Sequence, residues 1–271
     1  MINGRKFISQ CIFLFITLLT YKTFANQNEL KLEGTIGKFP IEIIISNNNW
    51  EEGTFEGKYH YKNKKESLSI KGEIFSPCVE IEEFYNEENT GTFYLERIGD
   101  NFSGKWVSDA TSYDVSLSIK SGDKNLLSAK SLKDYAEKTS KSFSGTYESE
   151  LYYINDYFFE KNNPQIEIAS NGGSVVIKEL SQDSINFQVM VVCGPTYHIA
   201  YAEGIAIKKD SIYEYREALS EDEDECVIKI TFGDRSVKME ADVSFVCMFG
   251  ARAYLNHEFI KVDDKAEFKD Y

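Results

Sequence analysis

The sequence predicts an all-β protein with two antiparallel β domains, an N-terminal meander or sandwich and a C-terminal small barrel, joined by a short, partly helical linker. Short segments in which apolar and polar residues alternate recur in both halves, with turn residues roughly every 8 to 12 positions. A hydrophobic share of 42% and an aromatic share of 14% supply a core and exclude a disordered chain. The predicted division is a signal peptide at 1–25, an N-terminal β domain at 26–124, a linker at 125–142, a C-terminal β domain at 143–264 and a tail at 265–271.

Residues 1–25 are predicted to be a cleaved export signal. Arg5 and Lys6 open the segment, and residues 7–20 are mostly apolar. The segment 23–25 then places Thr and Ala where a signal peptidase reads small residues. A membrane anchor is the alternative, but the apolar run of roughly 14 residues is shorter than the roughly 20 that a spanning helix needs. We expect a periplasmic or secreted protein without stable membrane insertion after cleavage.

The charge of the chain constrains its partners. The formal net charge is −14, and removal of residues 1–25 takes away Arg5, Lys6 and Lys22 but no acid, so the mature chain carries −14 − 3 = −17. Such a surface repels nucleic acid and anionic lipid and accelerates encounter with basic proteins. The alternative explanation is that the negative charge only keeps an exported protein soluble. We expect no nucleic-acid partner.

An aromatic pattern recurs in the predicted strands of the N-terminal half and at the start of the C-terminal half. Phe55–Tyr59, Phe102–Trp106 and Phe143–Tyr147 each read Phe-x-Gly-x-aromatic. This spacing places both rings and the glycine on one face of a strand, where the glycine leaves room for a neighbouring backbone or ring. A structural role is the favoured interpretation, and a carbohydrate-stacking platform is the alternative.

The linker prediction rests on a change of composition at residues 125–142, where β-branched residues nearly vanish and apolar residues fall at helical spacing. Beyond it, about eight strands are predicted, enough to close a small antiparallel barrel without exposed edges. Within the stretch 226–262, Gly233-Asp234 is predicted to reverse the chain as a type II′ hairpin.

Four cysteines remain after residue 25, and an even number in an exported chain predicts two disulfides. Three pairings are possible. The local sheet topology favours Cys226–Cys247, which leaves Cys78–Cys193 to tie the two halves together. The absence of a Cys-x-x-Cys pair and the scatter of the three histidines argue against zinc. We expect neither a metal nor a cofactor.

No catalytic motif stands out in the chain. There is no Gly-x-Ser-x-Gly elbow and no His-Glu-x-x-His pair. The pairs Glu82-Glu83 and Glu87-Glu88 could act as the paired carboxylates of a glycosidase, although acidic pairs on the polar face of a strand are more commonly solvated. We therefore expect no catalytic residue and no enzymatic activity.

Three features are candidates for contact with a protein partner. The ring-rich segment 152–159 has too many aromatic residues for a strand buried on one face, so its exposed rings would meet either the other domain or a partner. The loop 193–198 and the acidic run 221–225 are further candidates, and the run does not have the oxygen spacing of a calcium loop. The predicted partner-binding residues are Tyr153, Tyr157, Phe159, Tyr197 and Glu223.

The segments 226–232 (CVIKITF), 247–254 (CMFGARAY) and 258–261 (EFIK) resemble the closing strands of uncharacterised exported bacterial β proteins, which are similar in turn to periplasmic lysozyme inhibitors. The resemblance covers residues 143–262. It implies a small disulfide-bonded barrel that binds a basic hydrolase. The expected function is a non-catalytic protein-binding module, an inhibitor or immunity protein against a cell-wall hydrolase or toxin. A structural or envelope-associated module and a carboxylate-dependent hydrolase are the alternatives.

Overall fold

The fold is taken from a computed structural model, which describes residues 29–109, 111–156, 165–218, 225–241 and 246–270. The prediction of an all-β protein is confirmed, because the strands form two closed antiparallel barrels of eight strands each. The predicted signal peptide lies outside the described residues. Among those that are described, no helix has the length and apolar character needed to cross a membrane.

The first barrel is a meander in which each strand pairs with the next and the last strand returns to the first. Its strands are β1 Leu30–Ile36, β2 Phe39–Asn49, β3 Thr54–Tyr61, β4 Leu68–Phe75, β5 Cys78–Tyr85, β6 Glu88–Ile98, β7 Asn101–Ser108 and β8 Thr111–Gly122. The predicted meander thus closes into a barrel rather than a sandwich. Closure follows from the pairing of β1 with β8, from Leu30 opposite Gly122 to Ile36 opposite Val115. This pairing leaves no free sheet edge.

The glycines of the repeated aromatic pattern let neighbouring strands approach closely. A Cβ atom at Gly57 would overlap the carbonyl oxygen of Ile44, and one at Gly104 would overlap that of Tyr94. The rings on either side of Gly57, Phe55 and Tyr59, are both buried in the barrel. This geometry supports the structural interpretation of the pattern.

The second barrel repeats the meander. Its strands are β9 Gly145–Asn155, β10 Glu167–Ser181, β11 Ser184–Cys193, β12 His198–Lys209, β13 Ile212–Ala218, β14 Glu225–Phe232, β15 Ser236–Ala241 and β16 His257–Asp263. The predicted type II′ turn between β14 and β15 is wrong. Phe232 pairs with Val237, so the reversal spans residues 233–236, and the left-handed residue is Arg235 (φ 64°) rather than Gly233.

Two pairs of neighbouring strands in the second barrel, here called seams, are hydrogen-bonded to each other at one end only. In the described residues, β12 pairs with β13 from Ile207 to Lys209, and β16 pairs with β9 from Ile260 to Asp263. Both ladders lie near the end of the barrel with the short turns. Toward the opposite end the strands separate, so another part of the chain must fill the barrel there.

The linker has the predicted helical character and packs on the first barrel. It contains a 3-10 turn, Lys124–Leu127, and a short helix α1, Leu132–Ala136. Leu127 is buried in the core of the first barrel. Asn48 Nδ2 donates to the carbonyl of Leu126 (2.9 Å), and Arg97 Nη1 donates to that of Leu127 (3.3 Å). The first barrel therefore binds the backbone of the linker directly.

One disulfide prediction is confirmed and the other is wrong. Cys226 and Cys247 are bonded, with their Cα atoms 4.7 Å apart. Cys78 and Cys193 are free, buried thiols. Cys78 begins β5 of the first barrel, whereas Cys193 ends β11 and lies in the core of the second. Val79, Ile81 and Glu83 are the inward-facing residues of β5, so Cys78 lies on the outer face of the first barrel, whereas Cys193 faces the interior of the second. The pairing inferred by elimination is therefore wrong, because the two thiols lie on different barrels and are not bonded.

A buried lysine fastens the linker to the second barrel. Lys261 on β16 is fully buried, and its Nζ donates to the carbonyls of Ser142 (2.7 Å) and Ser140 (3.2 Å) and contacts Asp264 Oδ1 (2.8 Å). Its aliphatic chain passes over Gly145, where a Cβ would collide with Cε. The backbone N–H of Ser140 donates to Asp264 (3.0 Å). The hydrogen bond from Lys261, followed by those from Ser140, lowers the pKa of Asp264 to about 2.

The Asp264 contact predicts a pH-dependent contribution to stability. Its pKa falls from 3.8 to about 2 on folding, so the stabilisation is complete above pH about 4 and is lost as the pH falls toward 2. Asp264→Asn should lower the melting temperature at pH 5–7, and the difference from the wild type should shrink between pH about 4 and about 2. Thermal unfolding followed by circular dichroism measures both. Asp270→Asn is the matched control, and a difference that persists undiminished at pH 2 would contradict the assignment.

Candidate functional site

The second barrel has short turns at one end and long connections at the other. Residues 182–183, 210–211 and 233–235 form the turns, whereas 156–166, 194–197, 219–224 and 242–256 join strands at the opposite end, here called the loop end. Binding residues are concentrated on loops that a rigid scaffold positions. The loop end is therefore the candidate binding region of this barrel.

The described part of the longest connection, residues 246–256, covers the loop end and is here called the capping segment. Phe249, Ala253 and Leu255 are buried and pack into the barrel core. The Cys226–Cys247 disulfide anchors its beginning to β14. Its middle is held on β12, where the Gly250 N–H donates to the Ile199 carbonyl (3.0 Å). The capping segment thus fills the gap that the separated strands leave.

The far end of the capping segment joins β11 and β16. The Cys193 thiol donates to the carbonyl of Tyr254 (3.6 Å), and the Tyr254 ring stacks on His257 with centroids 5.1 Å apart and planes at 9°. His257 is 91% buried, and this burial lowers its pKa. The neutral imidazole of His257 therefore packs against the ring of Tyr254, which is partly exposed at the surface.

The connection 194–197 is held by polar contacts from β10. The Gly194 N–H donates to Asn171 Oδ1 (2.5 Å), and the Tyr197 hydroxyl donates to Glu167 Oε1 (2.6 Å). Tyr197 has a left-handed φ of 55°, which turns the chain back toward β12. Tyr153 lies beneath this connection, because a Cβ atom at Gly194 would overlap its hydroxyl oxygen.

An exposed apolar surface results, which we call the loop-end patch. Its members come from the start of β12, the connection before it and the capping segment: Tyr197 (50% exposed), Ile199 (50%), Met248 (79%) and Tyr254 (37%). The hydrogen bond between Gly250 and Ile199 brings these elements together. Tyrosine and methionine are enriched at protein interfaces. Residues of this kind on a fixed backbone can anchor a partner.

Acidic residues flank the loop-end patch. Glu167 begins β10 and Glu225 begins β14, both at this end of the barrel. In sequence, the acidic run 221–225 connects β13 to β14. Arg216 neutralises part of this charge through an ion pair with Glu225 (2.6 Å), and it also pairs with Glu214 nearer the short-turn end (3.0 Å). In the described part of the chain, no group of three or more His, Cys, Asp or Glu side chains is arranged to hold a metal.

The structure places two of the five predicted partner-binding residues. Tyr197 is exposed and belongs to the loop-end patch. Tyr153 is partly buried, and its hydroxyl is enclosed without a hydrogen-bond partner, so it supports the 194–197 connection from below. Tyr157, Phe159 and Glu223 lie outside the described residues.

Sequence reasoning missed three members of the patch: Ile199, Met248 and Tyr254. For Met248 and Tyr254, the available signal was the segment CMFGARAY, which is rich in apolar residues yet does not alternate as a strand; this segment does not include Ile199.

One of the two glutamate pairs considered for a hydrolase, Glu82-Glu83, does not form a shared site. Glu82 and Glu83 are neighbours on β5, so their side chains point to opposite faces. Glu83 is only 5% exposed and faces the barrel interior, whereas Glu82 faces outward and accepts from Asn89 Nδ2 (3.2 Å). Two carboxylates on opposite faces of a sheet cannot flank one glycosidic bond.

No protein-family model, curated protein or solved structure matches the chain. The geometry of the loop end, together with the charge of the chain, therefore carries the functional inference.

The disulfide that anchors the capping segment should contribute about 3 kcal/mol to stability, because it closes a loop of 21 residues in the unfolded chain. Cys226→Ala/Cys247→Ala should lower the free energy of unfolding by roughly this amount in urea titrations. Reducing agent provides the control: it should destabilise the wild type and leave the double variant unchanged. Equal responses of the two proteins to reduction would contradict the prediction.

Proposed function

We propose that the protein is an exported, non-catalytic binding module that uses the loop-end patch to inhibit or neutralise a basic protein, such as a cell-wall hydrolase or toxin. The observation that carries this proposal is the exposed set of tyrosine, isoleucine and methionine side chains that the start of β12, the connection before it and the disulfide-anchored capping segment present together, with acidic residues beside them. Blocking the cleft of an enzyme requires complementarity of surfaces and no chemistry from the inhibitor.

Rigidity supports this function. The disulfide and the Gly250–Ile199 hydrogen bond fix the capping segment, and Glu167 fixes Tyr197. A surface that is already ordered loses less conformational entropy when it binds, so more of the contact energy appears as affinity. Buried aromatic anchors typically dominate such interfaces, and Tyr197 and Tyr254 are the natural candidates.

Charge supports a basic partner. The mature chain would carry −14 − 3 = −17 after loss of three cations with the signal peptide. Acidic groups beside the patch would attract a basic enzyme and orient it during encounter, chiefly by raising the association rate. Binding of this kind weakens as ionic strength rises, because salt screens exposed charges.

Export to the periplasm or the extracellular medium fits the same proposal. The Cys226–Cys247 disulfide forms and persists in oxidising compartments. Cell-wall hydrolases and secreted toxins act in those compartments, so inhibitor and target would meet there. The basic, apolar start of the sequence supplies the export signal in this interpretation.

The patch predicts a specific mutational response. The mature protein should inhibit at least one enzyme in a panel of lysozymes, other cell-wall hydrolases and toxins encoded beside its gene. Tyr197→Ala and Met248→Ala should each weaken binding by about tenfold or more, because each removes an exposed anchor. Calorimetry and activity assays measure affinity and inhibition.

Leu180→Ala is the matched control, since Leu180 is 50% exposed on β10 near the opposite end of the same barrel. Its affinity should equal that of the wild type, and all variants should keep the wild-type melting temperature. The proposal fails if no member of the panel binds more tightly than about micromolar, the affinity of weak encounters, or if Leu180→Ala weakens binding as much as the patch variants do.

A further inference from the structure

The first barrel encloses a carboxylate near one of its ends, called here the mouth, where β5 and β7 end and β6 and β8 begin. Glu83 is only 5% exposed. Its Oε2 accepts hydrogen bonds from the Tyr59 hydroxyl and from Trp106 Nε1 (3.0 Å), and its Oε1 accepts one from Thr90 Oγ1 (2.5 Å). The carboxylate is thus held in a defined position by three donors from three strands.

Local sequence features place these donors. Glu83 continues the inward-facing series of Val79 and Ile81 on β5. The β5–β6 register shifts just after Glu83, which pairs with Gly91 while Phe84 pairs with Asn89, so Thr90 is the extra residue of a bulge. Such a bulge re-aims a side chain, and here the Thr90 hydroxyl meets Glu83.

Gly91 leaves the space that Trp106, the third donor to Glu83, occupies. A Cβ atom there would overlap the Trp106 ring, so the indole lies across the glycine to reach the carboxylate on the neighbouring strand. Burial, followed by the hydrogen bond to Glu83, raises the pKa of Tyr59, which keeps its phenol protonated as a donor.

The three donors are neutral, so the charge of Glu83 is not compensated. Buried carboxylates in proteins are normally paired with a cation. None of the ion pairs in the described part of the chain includes Glu83. A carboxylate has about four lone-pair sites, and the three hydrogen bonds leave one of them, on Oε1, available.

Aromatic rings surround the mouth. Trp106 stacks on Tyr113 with centroids 6.0 Å apart, and Phe39 meets Tyr61 edge to face at 6.1 Å. Phe39 is 40% exposed and Tyr113 is 42% exposed, so these rings are open to solvent. The face of an aromatic ring attracts cations. Lys38 places its Nζ 5.5 Å from the centroid of Phe39, so a cationic group lies over one ring of this rim.

We propose that the mouth of the first barrel binds an organic cation, a primary ammonium or guanidinium group, between the aromatic rim and the Glu83 carboxylate. The rim residues Phe39, Tyr61, Trp106 and Tyr113 supply ring faces, and Oε1 of Glu83 supplies the counter-charge. The group comes either from a lysine or arginine side chain of a protein or from a free amine. This site lies on the first barrel and does not depend on the loop-end patch of the second.

The test titrates the full mature chain with Nα-acetyl-lysine-methylamide and Nα-acetyl-arginine-methylamide. The neutral Nα-acetyl-norleucine-methylamide is the control ligand. The readout is the indole N–H signal of Trp106 in two-dimensional NMR, assigned with Trp50→Phe because the chain has only two tryptophans. We expect saturable shifts of the Trp106 signal with at least one cationic probe and none with the neutral one.

Glu83→Gln preserves the shape of the side chain and an acceptor oxygen while removing the charge. We expect it to weaken cation binding by about tenfold or more, as loss of a buried charge partner does. Tyr113→Ala, at an exposed rim position, should weaken binding several-fold without unfolding the barrel, and it provides the test if Glu83→Gln does not fold. Melting temperatures establish that each variant is folded.

Two further probes distinguish the sources of the cation. A lysine-containing pentapeptide that binds at least about tenfold more tightly than butylamine indicates a protein side chain, whereas equal affinity indicates a free amine. Either result supports the proposal. It is overturned if neither cationic probe shifts the Trp106 signal saturably, if the norleucine probe binds equally well, or if the folded Glu83→Gln variant keeps wild-type affinity.

Discussion

Closure of each sheet on itself is the constraint on which the rest of the structure depends. β8 returns to β1 and β16 returns to β9, so every strand has two neighbours. In the second barrel, the β12–β13 and β16–β9 pairings stop short of the loop end, where the capping segment fills the opening. Closure also determines which residues meet, because it turns alternate side chains toward a common interior. The ends of the barrels then remain as the places where the chain can present polar groups and loops.

The two barrels share one topology but complete their ends differently. The first barrel keeps its strands paired to the mouth and fills that end with rings around the Glu83 carboxylate. The second barrel separates at two seams toward its loop end, and a capping segment fastened by the Cys226–Cys247 disulfide fills the gap. A polar network and a covalent anchor are two solutions to the same problem of ending a small barrel.

These two ends suggest complementary kinds of recognition. The loop-end patch offers four exposed apolar side chains with acidic residues beside them, and a basic protein is the partner that we propose for it. The mouth of the first barrel offers one enclosed negative charge behind aromatic rings, suited to a single cationic group. The buried Lys261 and its exposed partner Asp264 hold the linker to the second barrel, so the chain that enters this barrel is fixed in position.

The sequence by itself determined the strand-rich character, the helical linker and the Cys226–Cys247 bridge, because alternation, composition and nearby cysteines are local signals. It could not determine that Cys78 and Cys193 belong to different barrels, that Glu82 and Glu83 face opposite sides of β5, or that the capping segment is held on Ile199 through Gly250. Those facts depend on barrel closure and strand register, which are set by contacts between residues far apart in the chain. Only the tertiary structure decides them, since a shift of one residue in register moves every side chain of a strand to the other face.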